Sequence, residues 1–132
     1  VEAQRAEDRR RQLGDTFWDW GIPTAASVAQ LSGLGLGVCA TGGVSNGLMI
    51  AKAIALGATV GGIARPFLQA HARGGVDAVR DYAKRVIDEI RIAALLTGSD
   101  SVSALQRASI VTDNRLNRWV VRGTPLADRL GI

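Results

Sequence analysis

The apolar residues of this chain come in blocks whose spacing changes from one segment to the next. "GLGVCAT", residues 35–41, is a short apolar run between glycines and reads as a strand buried on both faces. "GGVSNG" is a turn. "LMIAKAIAL", 48–56, is longer, carries Lys52 as its only charge and predicts a helix, with Gly57 where a C-terminal cap belongs. "ATVGGIA", 58–64, predicts a second buried strand, and its Gly61 and Gly62 predict a close approach to the backbone. After "RP" a short helical piece is expected over 66–72, ended by the glycine pair at 74 and 75.

The longest periodic stretch follows. From Val76 to Leu96, the residues Val79, Tyr82, Ala83, Val86, Ile87, Ile90, Ala93 and Ala94 recur at intervals of three and four, so one face packs and the other is wet. Gly98 stops this helix, and Ser99 or Asp100 is placed to cap a short one through Arg107. Upstream, "GDTFWDWGIPT" is turn-rich, and Pro23 suits the first turn of a helix over about 23–32, with Ala25, Val28, Ala29 and Leu31 as its buried positions. Residues 1–13 interleave Glu2, Glu7 and Asp8 with Arg5, Arg9, Arg10 and Arg11 and read as a polar helix or an arm. The tail, 108–132, is expected to be irregular or weakly helical.

The order helix, strand, helix, strand, helix is that of a repeating β/α protein. Two buried parallel strands need neighbours on both edges and cover on both faces. The chain is therefore expected to be the end of such a protein, and the lack of an initiating Met fits that expectation. At 132 residues, 47% hydrophobic and 21% charged, it has the composition of one globular domain, and its six aromatics leave the core to aliphatic side chains. The single cysteine, Cys39, excludes an internal disulfide framework and fits a reducing, cytoplasmic setting. The net charge of +4 is dispersed, without the aromatic or glycine pattern of a nucleic-acid module, so no nucleic-acid partner is expected. No apolar segment approaches the ~20 residues of a membrane span, and the charged start has no apolar centre of a signal peptide.

The candidate chemistry lies in the two turns that follow the strands. In β/α barrels a phosphate commonly sits between successive turns at the C-terminal strand ends. Glycines let the backbone come close, and exposed N–H groups at a helix start favour an anion. Gly42 and Gly43 form such a turn, with Ser45 able to add a hydroxyl and Asn46 to cap the helix. Ala64 and Arg65 form the second, where Arg65 brings a full charge and several donors. The turns are about 20 residues apart, one β/α repeat. Taken singly, each is equally an ordinary loop with a surface arginine.

At this point the residues meet a family. "TGGVSNGLMIAKAIALGA" followed by "ARP" resembles the flavin-mononucleotide end of phosphate-binding barrels. "DWGIPTAASV", the small pair Ala40 and Thr41 before the glycines, "IRIAALLTGSDSVSAL" and "RWVVRGTPL" resemble the type 2, FMN-dependent isopentenyl-diphosphate isomerases more than 2-hydroxyacid oxidases. The resemblance covers about residues 14–132. It implies an α/β fold, the C-terminal part of a (β/α)8 TIM barrel with the last two strands and their helices. It also implies an enzyme that interconverts isopentenyl and dimethylallyl diphosphate using reduced FMN, with Mg²⁺ on the substrate diphosphate and NADPH to reduce the flavin. FMN contacts then fall on Gly42, Gly43, Val44 and Ser45 and on Ala64 and Arg65. Catalytic and metal-binding residues are implied on barrel sequence outside this chain, which is expected to be inactive alone, to need that N-terminal segment and to form a homo-oligomer. Position 45, often Arg in related sequences, is Ser here, and position 49, often Asp, is Met. Two other readings stay open: a different FMN-dependent oxidoreductase on the same barrel, and a non-catalytic fragment that binds a phosphate compound.

Other residues have plainer readings. Cys39 is expected to be a small buried hydrophobe, His71 a surface side chain, Trp18 and Trp20 helix-docking aromatics, and Lys52 a surface residue laid along apolar neighbours.

Overall fold

The computed structural model describes residues 2–131, with side chains from Glu7 onward. Val1 and Ile132, the ends of the expected arm and tail, lie outside it, as do the side chains of Glu2 and Arg5.

The elements run α1 (Glu2–Thr16), α2 (Thr24–Leu31), β1 (Cys39–Ala40), α3 (Gly47–Ala55), β2 (Val60–Gly61), α4 (Arg65–Leu96), α5 (Val102–Gln106), α6 (Asn114–Asn117) and α7 (Pro125–Leu130). β1 and β2 pair in parallel, Cys39 with Val60 and Ala40 with Gly61. The helix between them makes this one β/α repeat, and α4 begins the next crossover. At Gly74 (φ −156°, ψ 26°) and Gly75 (φ 61°, ψ −147°) α4 is broken into two helices, as the glycine pair predicts. Ser101, rather than Ser99 or Asp100, caps α5, its hydroxyl accepting from the Ala104 N–H.

The strands are shorter and barer than their apolar runs suggest. Val38 and Ala40 are buried under α2 and α3, but Cys39 and Val60, partners on the opposite face, are exposed. Two strands can be covered by their own helices on one face only, so the expectation of burial on both faces fails for this chain. The same geometry overturns the reading of Cys39 as a buried hydrophobe. The close approach predicted at Gly61 is to α3: a Cβ there would lie 2.6 Å from Ile50 Cγ1.

α3 feeds two apolar clusters. Ala53 and Leu56 pack with Val28 and Ala29 of α2, with Val38, Ala40 and Ala58, and with Leu126 of α7. Ile50, Ala51 and Ile54 pack with Val44, Tyr82 and Val86, and with Leu105 of α5. In α2 the buried positions are Ala26, Val28 and Ala29; Ala25 is half-buried and Leu31 is exposed, one step round the helix from the expected face. Ile87 is likewise exposed on α4. Trp18 and Trp20 are 87% and 82% exposed and dock on no helix, against expectation. Among the described residues no helix is long and apolar enough to cross a membrane.

Candidate anion-binding site

The two strands end side by side. The Gly62 N–H donates to the Ala40 carbonyl at 2.8 Å, and a Cβ on Gly62 would lie 3.4 Å from Thr41. The turns after β1 and β2 therefore leave from one edge of the sheet, about one strand spacing (~4.8 Å) apart.

The first turn is built by glycine. Gly42 (φ 85°) and Gly43 (φ 77°) both take left-handed conformations, which residues with a Cβ rarely adopt. A Cβ on Gly43 would meet nothing within 4 Å, so the space over its backbone is open. Val44 turns inward and is buried in the second cluster, which anchors the turn to α3 and α4. Asn46 caps α3, its Oδ1 accepting from the Met49 N–H at 2.8 Å, as the sequence predicts. The Ser45 hydroxyl faces only the Met49 sulfur, at 3.5 Å, a weak acceptor that leaves it free to turn to a better one.

Three contacts hold this turn from outside. The Thr24 hydroxyl at the start of α2 donates to the Gly42 carbonyl at 2.6 Å. The Tyr82 hydroxyl on α4 donates to the Ser45 carbonyl at 2.5 Å. The Glu89 carboxylate, two turns further along α4, accepts from the Gly47 N–H at 2.6 Å. All three engage carbonyls or the helix start. Among the described residues, no acceptor is bonded to the N–H groups of Gly42, Gly43, Val44 or Ser45.

The second turn carries charge. Ala64 stands at the cap of α4 without a side-chain cap bond, and Pro66 lies in the first turn. Arg65 is exposed and, among the described residues, has no ion-pair partner. The fold thus brings the predicted residues Gly42, Gly43, Val44 and Ser45 to the same sheet edge as Ala64 and Arg65. These groups are all donors or positive, the chemistry that suits an anion such as a phosphate monoester. Beside the first turn, a hollow of about 250 Å³ is lined by Thr24, Gly42, Gly43, Met49 and Lys52. A larger one of about 570 Å³ lies on the outer side between α3, α5 and residues 108–113, with a mostly apolar lining. Among the described residues no three His, Cys, Asp or Glu side chains are grouped to hold a metal ion.

Sequence reasoning missed Thr24, Tyr82 and Glu89 as parts of this site. Tyr82 and Glu89 stand seven residues apart, on one face of α4, but only Tyr82 is apolar enough to mark that face. Thr24 sits in "GIPT", where its likeness to a family segment was visible and its contact was not.

Fold and site together define a parallel β/α protein with an open glycine turn at its C-terminal strand ends. Residues 22–112 match the family of FMN-dependent dehydrogenases, and the chain belongs to that family. It is 43% identical over 128 residues to the isopentenyl-diphosphate delta-isomerase of Halobacterium salinarum, covering 94% of this chain and 35% of that protein. It is 40% identical over 122 residues to the isopentenyl-diphosphate delta-isomerase of Thermococcus kodakarensis, and 43% identical over 119 to that of Methanothrix thermoacetophila. These matches cover 91% and 87% of this chain and 33% of each relative. The chain thus spans about a third of the length of these relatives, and the resemblance drawn from "WGIPT" and the glycine turn is borne out.

Proposed function

We infer that this chain is the C-terminal part of a (β/α)8 barrel that interconverts isopentenyl and dimethylallyl diphosphate, and that it holds the phosphate of FMN. The observation that carries the reading is the N–H row of Gly42 to Ser45, unpaired among the described residues, beside the charge of Arg65, which has no ion-pair partner among them. The relatives named as isomerases give the phosphate an owner. Bound and reduced, FMN supplies the groups that move a proton on and off the allylic carbons. This chain's part is to bind and orient it: backbone N–H groups at Gly43, Val44 and Ser45 on one side, Ala64 and Arg65 on the other. The exposed face of Cys39, Thr41 and Val60 is then the barrel interior, covered by strands of the N-terminal segment. Mg²⁺, NADPH and the substrate diphosphate are assigned to that segment's residues.

The test is an FMN titration of the barrel completed with its N-terminal segment, followed by flavin fluorescence. Saturable binding that inorganic phosphate competes for is expected, and no saturation overturns the reading. Arg65→Ala should weaken FMN by about tenfold and Ser45→Ala by less, because a charge-assisted contact is roughly twice as strong as a neutral one. Equal flavin retention in both variants would remove Arg65 from the site.

A second reading rests on the family match itself, which is to FMN-dependent dehydrogenases. On that reading the barrel oxidises a substrate at the flavin. Turnover of isopentenyl diphosphate without net flavin reduction favours the isomerase; substrate-dependent flavin bleaching favours the oxidoreductase.

A further inference from the structure

We propose that Tyr82 and Glu89 are positioning residues for the anion turn, holding Ser45 and Gly47 from the α4 side so that the N–H groups before them stay unpaired and aimed outward. The inference rests on the phosphate reading above and says how the turn is kept ready.

Tyr82 is buried against Phe67, edge to face at 4.7 Å, with the Arg85 guanidinium 5.0 Å above its ring. Its hydroxyl therefore has a fixed origin, and its bond to the Ser45 carbonyl fixes the Ser45–Asn46 peptide plane. Because that peptide is planar and trans, a carbonyl drawn toward α4 turns the Asn46 N–H the opposite way. Glu89 completes the grip. Its carboxylate takes the Gly47 N–H at 2.6 Å and is partnered by Arg85 at 3.7 Å. Gly47 makes this approach possible: a Cβ there would collide with the Val86 carbonyl oxygen and lie 2.7 Å from Glu89 Cβ.

The consequence concerns where the anion sits. An uncapped helix start offers its first-turn N–H groups to a phosphate. Here Glu89 holds that of Gly47 and Asn46 holds that of Met49. A carboxylate at the helix start also repels a second anion there. The phosphate is thereby directed to the Gly43–Ser45 turn and away from α3's own axis. Tyr82 and Glu89 never touch it.

Riboflavin carries the same ring system without the phosphate, and in the barrel completed with its N-terminal segment it separates this role from general support of the fold. Tyr82→Phe and Glu89→Ala should each raise the Kd for FMN about five- to tenfold while changing that for riboflavin by less than about twofold. Glu89→Gln, which keeps an acceptor for Gly47, should restore most of the FMN affinity. Asp88→Asn, on an exposed ion pair of the same helix, should change neither. Equal losses for FMN and riboflavin, or none for FMN, overturn the proposal. Amide hydrogen exchange on the same variants reads the turn without any flavin: exchange at Gly47 and Met49, whose N–H groups are bonded to Glu89 and Asn46, should quicken while that of α2 holds. If the completed barrel binds neither flavin, the phosphate reading fails and exchange alone decides the positioning role. Unchanged exchange at Gly47 and Met49 then overturns it.

Discussion

At Gly47 the backbone of α3 starts against the backbone of α4, and the requirement is for space. The requirement at Gly75 is the reverse: a Cβ there would meet nothing within 4 Å, but the residue sits at φ 61° and ψ −147°, a region closed to other side chains. Gly47→Ala should therefore lower stability by about 1–3 kcal/mol through overpacking. It should also loosen the Glu89 contact, so denaturant unfolding and exchange at the turn should change together. A variant with full stability would mean that the helices separate freely at this point. From sequence, "GGVSNG" was readable as a turn with Asn46 as the cap, because both are local signals. The reason for Gly47 was not readable, since its partners Val86 and Glu89 are some forty residues away along the chain. Ser45 and Met49 are neighbours one helical turn apart, in contact through Oγ and Sδ. A change at one therefore alters the surroundings of the other.

Among elements, the helices follow their patterns more closely than the strands. α3 begins and ends within a residue or so of its apolar run, because Asn46 and Gly57 mark its ends and both apolar faces find cover. The strands shrink to two residues each, since a strand is defined by its neighbours and only one neighbour is present. α4 shows how a break serves the site. Its first part starts at Arg65 and carries Phe67 toward Tyr82; its second part carries Tyr82 and Glu89 to the turn. A continuous helix of that length would hold Phe67 in one fixed phase with Tyr82 and Glu89. Gly75→Ala should cost about 1–3 kcal/mol from backbone strain alone. If the break matters to the site, this variant should also weaken FMN binding more than Asp88→Asn does. A shift in unfolding midpoint with flavin affinity untouched would confine the break to a folding role.

At the scale of the whole molecule, the two clusters are joined by α3 and closed from below by the tail. Leu126 of α7 is 1% exposed and packs against Val28, Val38 and Leu56, at the end of the strands opposite the glycine turn. Pro125 closes on Gly33, where a Cβ would stand 2.5 Å from its ring. The Arg129 guanidinium donates to the carbonyls of Ala55 and Ala108, at 3.0 and 2.9 Å, tying the end of α3 to the residues beyond α5. None of this was visible in the pattern of residues 108–132. Ile110, Leu116, Val120, Leu126 and Leu130 keep no single period along the tail, because they come as pairs four apart, Leu116 with Val120 and Leu126 with Leu130, on separate short segments facing the same cluster. Leu126→Ala should destabilise the chain by about 2–5 kcal/mol, the range for emptying a filled apolar site. Arg129→Ala should cost less, about 1–3 kcal/mol, since two carbonyls lose a charged donor at a partly wet edge. Because the tail and the glycine turn lie at opposite ends of β1, neither change should alter the FMN-to-riboflavin affinity ratio in the fraction that remains folded. Thermal unfolding with a parallel flavin titration measures both quantities. A ratio that falls with Leu126→Ala would show that the packing below β1 sets the shape of the turn above it.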